Sequence, residues 1–323
     1  MTQFRLLRQP AIAVAAGVLA LTLLVALFAP LLATSAAGRR VGPVFGSPSS
    51  AHPLGLDDAG QDVLSLLLRG ARTVLIVGAA ASLVAVLIGC AVGVLAGYAG
   101  GWVDSVLMRV TDYFLVVPAL PFMIVVAAIW GPSLSHIILV IGLLSWTQMA
   151  RLTRAQTMSL RERGYILRAR GLGSSHLRIV TRHLLPHLTP LVVANAALTV
   201  AAAIFAEAAL AFLGLGDPTS ISWGRMIEHA FSRSALSAGA WWAFVPPGLC
   251  IAAVVVASSV IGQGVAEIAN PQLRHDHLPP RRVRLRTTAA GGGGGGGGGE
   301  DDSGGSDSGR RLRRRTAATV MEE

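Results

Sequence analysis

Several stretches of this chain run for more than 20 residues with at most one Asp, Glu, Lys or Arg. A helix rising 1.5 Å per residue needs about 20 apolar residues to cross about 30 Å of hydrocarbon. Ala11 to Ala33 and Thr73 to Val103 are each one such run. The run from Tyr113 to Ala150 is too long for one crossing, and Trp130-Gly131-Pro132-Ser133 at its middle carries the residues of a chain reversal, so it reads as two spans. Leu188 to Gly216, broken only by Glu207, and Ser234 to Ala266 complete the set. The pattern predicts an all-α integral membrane protein with six transmembrane helices and both termini on one side of the bilayer.

Arginine placement orients it. Arg151, Arg154, Arg161, Arg163, Arg168, Arg170, Arg178 and Arg182 all follow the fourth span, whereas only Arg225 and Arg233 lie in the connection before the last. Positive charge stays on the cytoplasmic side, so the loop 151–187 and both termini are expected in the cytoplasm. The first run, behind Arg5 and Arg8, lacks a clear small-residue cleavage site and reads as an uncleaved anchor. Residues 34–72 are then extracytoplasmic, and HPLGLDDAGQDVLSLLLRGAR within them reads as a loop followed by a short amphipathic helix on the membrane face. Beyond Arg274 the chain becomes RRVRLR, nine glycines at Gly291 to Gly299, EDD and RRLRRR. Such a segment has too little apolar surface to offset its chain entropy and is expected to be a disordered tail that meets anionic lipid rather than nucleic acid.

Composition agrees and removes whole classes of chemistry. Hydrophobic residues make up 53% and charged residues 14% of 323, with net charge +10, and the mean hydropathy is +0.60. Lysine is absent, so there is no phosphate loop with its lysine, no kinase lysine and no Schiff base. Any nucleotide hydrolysis must then belong to a partner. Cys90 and Cys250 fall in uncharged runs and read as small buried hydrophobes. Pro186 separates His183 from His187, no third ligand is evident, and neither a metal site nor a catalytic residue is assigned.

Three features could carry mechanism. Gly89, Gly93 and Gly97 fall on one helix face and let a second helix approach closely, within the subunit or across an interface. Glu207 is a carboxylate at membrane depth, expensive enough to need a partner or a watery cavity; it is either a pathway or gate residue or a group held by neighbouring helices. In RARGLGSSHLRIVTRHLLPH, Arg168 to His187, the glycines at 171 and 173 break a helix and Ser174 can cap a new one. Leu177, Val180 and Leu184 would line its apolar face until Pro186 stops it. The result is a helix of about 12 residues suited to docking a cytoplasmic protein.

These residues resemble the permease subunits of binding-protein-dependent ABC importers, in particular the dipeptide, oligopeptide and nickel C-type permeases. The family's cytoplasmic signature reads E-A-A, three residues, G, nine residues, then I-x-L-P. Ala169, Gly173, Leu185 and Pro186 fall on its positions, with His183 where isoleucine often stands, while Leu167 and Arg168 replace the glutamate and first alanine. HPLGLDDAGQDVLSLLLRGAR, GYAGGWVDSVLMRVTDYFLVVPALP, EAALAFLGLGDPTSISWGRMI and ANPQLR extend the likeness over residues 52–274.

The resemblance implies the type I ABC importer permease fold. It divides the chain into the start and first helix (1–33), an extracytoplasmic loop (34–72), a five-helix core (73–268) with its coupling loop, and the tail (269–323). It also implies a homologous second permease, two ABC ATPase subunits that hold ATP and Mg, and an extracytoplasmic substrate-binding protein, in the inner or plasma membrane. Ala169, Arg170, Gly173, Ser174, Leu177, Arg178, His183, Leu185 and Pro186 would then face the ATPases. Peptide is the implied cargo, with nickel or another small solute as the alternative within the family. An ion-coupled secondary transporter, relying on Glu207, and a scaffold working through its basic tail are the readings from other classes.

Overall fold

The computed structural model describes residues 10–32 and 39–269, so the basic start at Arg5 and Arg8 and the glycine- and arginine-rich tail lie outside the described residues. Among the described residues the regular structure is helical: α1 (Pro10–Leu32), α2 (Val63–Ala99), α3 (Gly101–Val116), α4 (Ala119–Trp130), α5 (Leu134–Arg161), α6 (Gly164–Gly171), α7 (His176–Ile179), α8 (Leu185–Leu210), α9 (Trp223–Ser232) and α10 (Val245–Ala269). Five helices are long and apolar enough to cross a bilayer. The pair α3 and α4 passes the same test only when taken together, and it is bent by 83°, so the count is five crossings, or six if the bent pair is one. The bend falls at Val117-Pro118, where proline has no N–H to continue the ladder and the residue before it is driven out of the helical region, Val117 taking ψ 121°.

The segment read as an amphipathic helix on the membrane face is instead the beginning of α2. Residues 52–62 are irregular, and the helix starts at Val63, ten residues before the expected span. Asp62 fixes that start: its carboxylate accepts the Ser65 N–H at 2.9 Å and lies 3.2 Å from His52 Nδ1, a cap of the kind worth about 1 kcal/mol. At 37 residues, α2 is about 55 Å long by its rise, well beyond the ~30 Å a crossing of the hydrocarbon needs. α5 likewise runs past the expected span to Arg161, so Arg151 and Arg154 belong to a helix and not to a loop. The reversal at 130–133 is where the sequence placed it: α4 ends at Trp130, Gly131 takes φ +82°, and α5 starts after Ser133.

The bundle is assembled around α2, which packs most extensively on α5 and also meets α1 and α8. Gly89, Gly93 and Gly97 all face α5. A Cβ on Gly89 would meet the Trp146 carbonyl and the Met149 side chain, one on Gly93 the Ala150 carbonyl and Thr153, and one on Gly97 the Arg154 carbonyl and Thr157. The stripe therefore packs within the subunit. Thr153 uses the close approach, its hydroxyl lying 3.2 Å from the Gly89 carbonyl and donating to its own helix at Met149, 2.7 Å away. Two ion pairs fasten α3 to α5, Arg154 to Asp104 through two N–H···O bonds of 2.5 and 2.6 Å and Arg151 to Asp112 at 2.6 Å.

Enlarging Gly93 tests this interface. Gly93→Leu is expected to destabilise the protein by at least ~1–3 kcal/mol, because both obstacles are backbone or branched side chain and cannot swing aside. Thermal unfolding in detergent should show a lower midpoint and reduced yield, while Gly17→Leu on α1, with nothing within 4 Å of its Cβ position, should leave both unchanged.

Candidate functional site

The segment after α5 folds into a compact surface at one end of α2. α6 ends at Gly171, and Gly173 takes φ +77°, a conformation that favours glycine and turns the chain into α7. The cap is Ser175 rather than Ser174: its hydroxyl accepts the Arg178 N–H at 3.4 Å. Pro186 does not stop a helix here. The five residues Val180–Leu184 form a π-turn and Leu185 donates to Val180 five residues back, so α7 runs through into α8 with Pro186 in its first turn. A proline ring in a regular α-helix would press on the carbonyl four residues before it, and a widened turn relieves that contact. The discrete docking helix of about 12 residues is thus the leading end of a helical segment spanning His176–Leu215.

The widened turn also changes which side chains are buried. Ile179, Leu184 and Leu188 are fully buried with Ile166, Leu160 and Val94, whereas Leu177, expected on the apolar face, is 74% exposed. Leu172 at the tip is 86% exposed, and Arg170 and Arg178 flank it in solvent. Leu167, at the position of the signature glutamate, is 52% exposed. His183 is half-buried and Leu185 and Pro186 are exposed. Tyr165 stacks on His187 with ring centroids 5.7 Å apart, and the His187 ring is held by Nδ1 at 2.7 Å from the His183 carbonyl. What remains free is an apolar tip ringed by arginines.

A second feature lies where the α3–α4 bend opens the bundle. A cavity of about 560 Å³ is lined by Pro118 and Met123 at the bend, by Ser145 and Gln148 from α5, and by Asn195 and Thr199 from α8. Its polar groups are hydroxyls and amides, and it has no ionisable side chain. Glu207 lines neither this cavity nor the next. It is 2% exposed, with Ser222 beside its carboxyl and Oε2 without a hydrogen-bond partner. That places it in the joint between α8 and the start of α9.

The opposite end of α2 carries the third. A cavity of about 520 Å³ lies between residues 57–66 and the segment 218–243. Asp57 binds the Ala59 and Gln61 N–H groups at 2.9 and 2.7 Å, yet burial holds its carboxyl above the usual range. Asp58 reaches His229 of α9, Oδ2 to Nδ1 3.7 Å, an ion-pair distance longer than a hydrogen bond. That partner lowers the Asp58 pKa and raises that of His229. His229 Nε2 has Arg225 Nη2 at 3.2 Å and Glu228 at 3.8 Å. The neutral ring can accept from Arg225, while the imidazolium turns to Asp58 and Glu228. Arg225 also donates to the Asp217 and Ser220 carbonyls at 2.8 and 2.7 Å, fixing the loop before α9.

Residues 89–275 match the model of the family described as binding-protein-dependent transport system inner membrane component. The chain belongs to this family. It is 36% identical over 228 residues to the dipeptide transport system permease protein of Bacillus subtilis (strain 168), covering 70% of this chain and 71% of that one. The glutathione transport system permease protein of Pectobacterium atrosepticum is 34% identical over 228 residues, 70% of this chain and 75% of its own. The oligopeptide transport system permease protein of Bacillus subtilis is 34% identical over 229 residues, 70% and 74%. The protein is thus a multi-pass membrane permease component of ABC importers.

The match to this permease family contains α5, the exposed arginine-ringed tip and the cavity at the bend. Four groups that the structure brings together were not apparent from the sequence: Tyr98, His176, the Asp58–His229 pair and the Gln148–Asn195 lining. No spacing connects residues so far apart in the chain, although Tyr98 directly follows the glycine stripe.

The Asp58–His229 pair makes a pH-dependent contribution whose sign is fixed. The raised His229 pKa makes it complete below about pH 6.5 and lost as pH rises through the folded value. The lowered Asp58 pKa makes it complete above about pH 3.9 and lost as pH falls through the folded value. Asp58→Asn should therefore lower the melting temperature of purified protein more at pH 5.5 than at pH 8.5, as read by differential scanning fluorimetry. An equal loss at both values would show that the pair does not titrate.

Proposed function

We propose that this chain forms half of the translocation path of an ATP-driven peptide importer. A homologous permease supplies the other half, two ATP-hydrolysing subunits dock on the surface around α6 and α7, and an extracytoplasmic binding protein delivers cargo near α9. The observation that carries the reading is the family match over residues 89–275, because it encloses both an exposed docking surface and a membrane cavity. Peptide is favoured because the relatives compared above are named for dipeptide, oligopeptide and glutathione transport. The cavity chemistry supports it: hydroxyls and amides can meet backbone N–H and C=O groups without selecting the charge of the side chains carried past them.

The same reading orients the molecule, with both termini and the arginine-rich end in the cytoplasm. The chain performs no covalent step; ATP and Mg belong to the docked subunits. Closure of those subunits favours one packing of the bundle over another only if they bind the two packings with different free energies. Leu172, Leu177 and Arg178, all exposed, supply such contacts without being needed for the fold.

Combined Leu177→Asp and Arg178→Glu tests the docking. In vesicles holding the complete importer, the doubly substituted permease is expected to insert at normal level, lose ATPase co-purification and lose ATP-driven uptake by tenfold or more. Retention of both co-purification and uptake would overturn the assignment. Uptake sustained by an ion gradient after ATP depletion would instead favour a secondary carrier.

A further inference from the structure

The exposed tip has to be connected to the rest of the bundle, and the connections converge on two adjacent residues. Gly97 and Tyr98 form the last turns of α2, the helix that outreaches the bilayer. The Gly97 carbonyl accepts Arg161 Nη1 from the end of α5 at 2.9 Å. The Tyr98 hydroxyl lies 2.7 Å from His176 Nδ1, at the first residue of α7. The two rings meet edge to face, centroids 5.7 Å apart and planes at 72°. Arg170 from α6 lies over the Tyr98 ring, its guanidinium carbon 5.6 Å from the centroid, within the range of a cation–π contact. The inner edge of Tyr98 packs against the buried cluster of Leu160, Ile166, Ile179 and Leu184. One side chain thus touches both helices that flank the Gly173 turn.

The far end of the same helix is tied just as specifically. Trp223, the first residue of α9, is buried and donates its indole N–H to the Leu67 carbonyl at 2.9 Å, and its ring lies where a Cβ on Gly70 would stand. α9 in turn carries His229 and Arg225 of the outer cavity. Between Gly70 and Tyr98 the helix is unbroken and contains no proline.

Resting on the docking surface described under Proposed function, we propose that Tyr98 is the positioning residue that clamps α6 and α7 to the end of α2. Displacement of the docked tip is then delivered to α2 as a whole and reaches α9 through Trp223. Leu167, where the family signature has its glutamate, takes no part. The phenol suits this task because its hydroxyl can either donate to or accept from a ring nitrogen. The arginine-stacked ring keeps α6 in register.

The clamp is separable from docking by measuring two quantities in the complete importer, reconstituted in vesicles with its binding protein and labelled dialanine: ATPase co-purification and peptide accumulated per ATP hydrolysed. Tyr98→Phe keeps the ring under Arg170 and removes one hydroxyl. It is expected to leave co-purification and melting temperature unchanged and to lower peptide per ATP about three- to fivefold. His176→Ala should give a similar loss, His176→Asn, which retains a polar atom near the Nδ1 position, should restore most of it, and Tyr98→Phe with His176→Ala should lose no more than either alone. An unchanged ratio in Tyr98→Phe, or losses that multiply in the double variant, would overturn the clamp while leaving the docking surface standing. Normal co-purification in the Leu177 and Arg178 variant would remove the docking surface itself, whatever Tyr98 does.

Discussion

In hydrocarbon, apolar side chains gain little by leaving lipid for one another, so two helices associate only as far as their surfaces fit. The approach of α2 to α5 along Gly89, Gly93 and Gly97 meets that condition here. Each glycine receives a backbone carbonyl or a short side chain from α5, and Thr153 inserts its hydroxyl where a larger residue on α2 would not allow it. Everything else is referred to this pair. α3 is fastened to α5 by two arginine–aspartate bridges, α8 packs on α2 through Ile204 and Gly78, and the surface after α5 takes its position from the last turn of α2.

The two ends of α2 have different chemistry because they face different demands. At one end, Asp62 caps the helix and the neighbouring acidic residues face His229 across a loop. At the other the helix ends among arginines, and a phenol and a backbone carbonyl organise them. Between the ends the side chains are uncharged from Thr73 to Val103. The middle of the chain is left to a cavity whose polarity comes from amides and hydroxyls, groups that are affordable at membrane depth where ionised ones are not.

Span number, the reversal at Gly131 and the family signature could be read from the sequence because each is local: a run length, a turn composition, a fixed spacing. The failures occurred where a residue's effect depends on its surroundings. Pro186 reads as a stop, yet the turn before it had room to widen, and the helix continued. That widening moved the buried face from Leu177 to Ile179, a shift no 3.6-residue pattern contains. Ser174 reads as the cap, yet after the positive-φ turn at Gly173 it is Ser175 that stands extended before the helix and accepts the Arg178 N–H. For Glu207 depth alone leaves both a pathway group and a group held by neighbouring helices open, and its neighbour Ser222, across a loop, is not legible in any local spacing. The early start of α2 is not visible in run length because Arg69 and Arg72 interrupt the apolar run without interrupting the helix.

The π-turn at Val180–Leu184 holds one residue more than an α-turn of the same span. An α-helix advances by about 100° per residue, so that surplus residue sets the rotational phase between the arginine-ringed tip and α8 below it. Chains that carry the same signature but close this turn to α geometry would present a different azimuth of the tip for the same orientation of the span. A single-residue length change between Ile179 and Pro186 is thus a route by which a permease lineage can re-aim its contact with a partner while keeping its membrane packing intact.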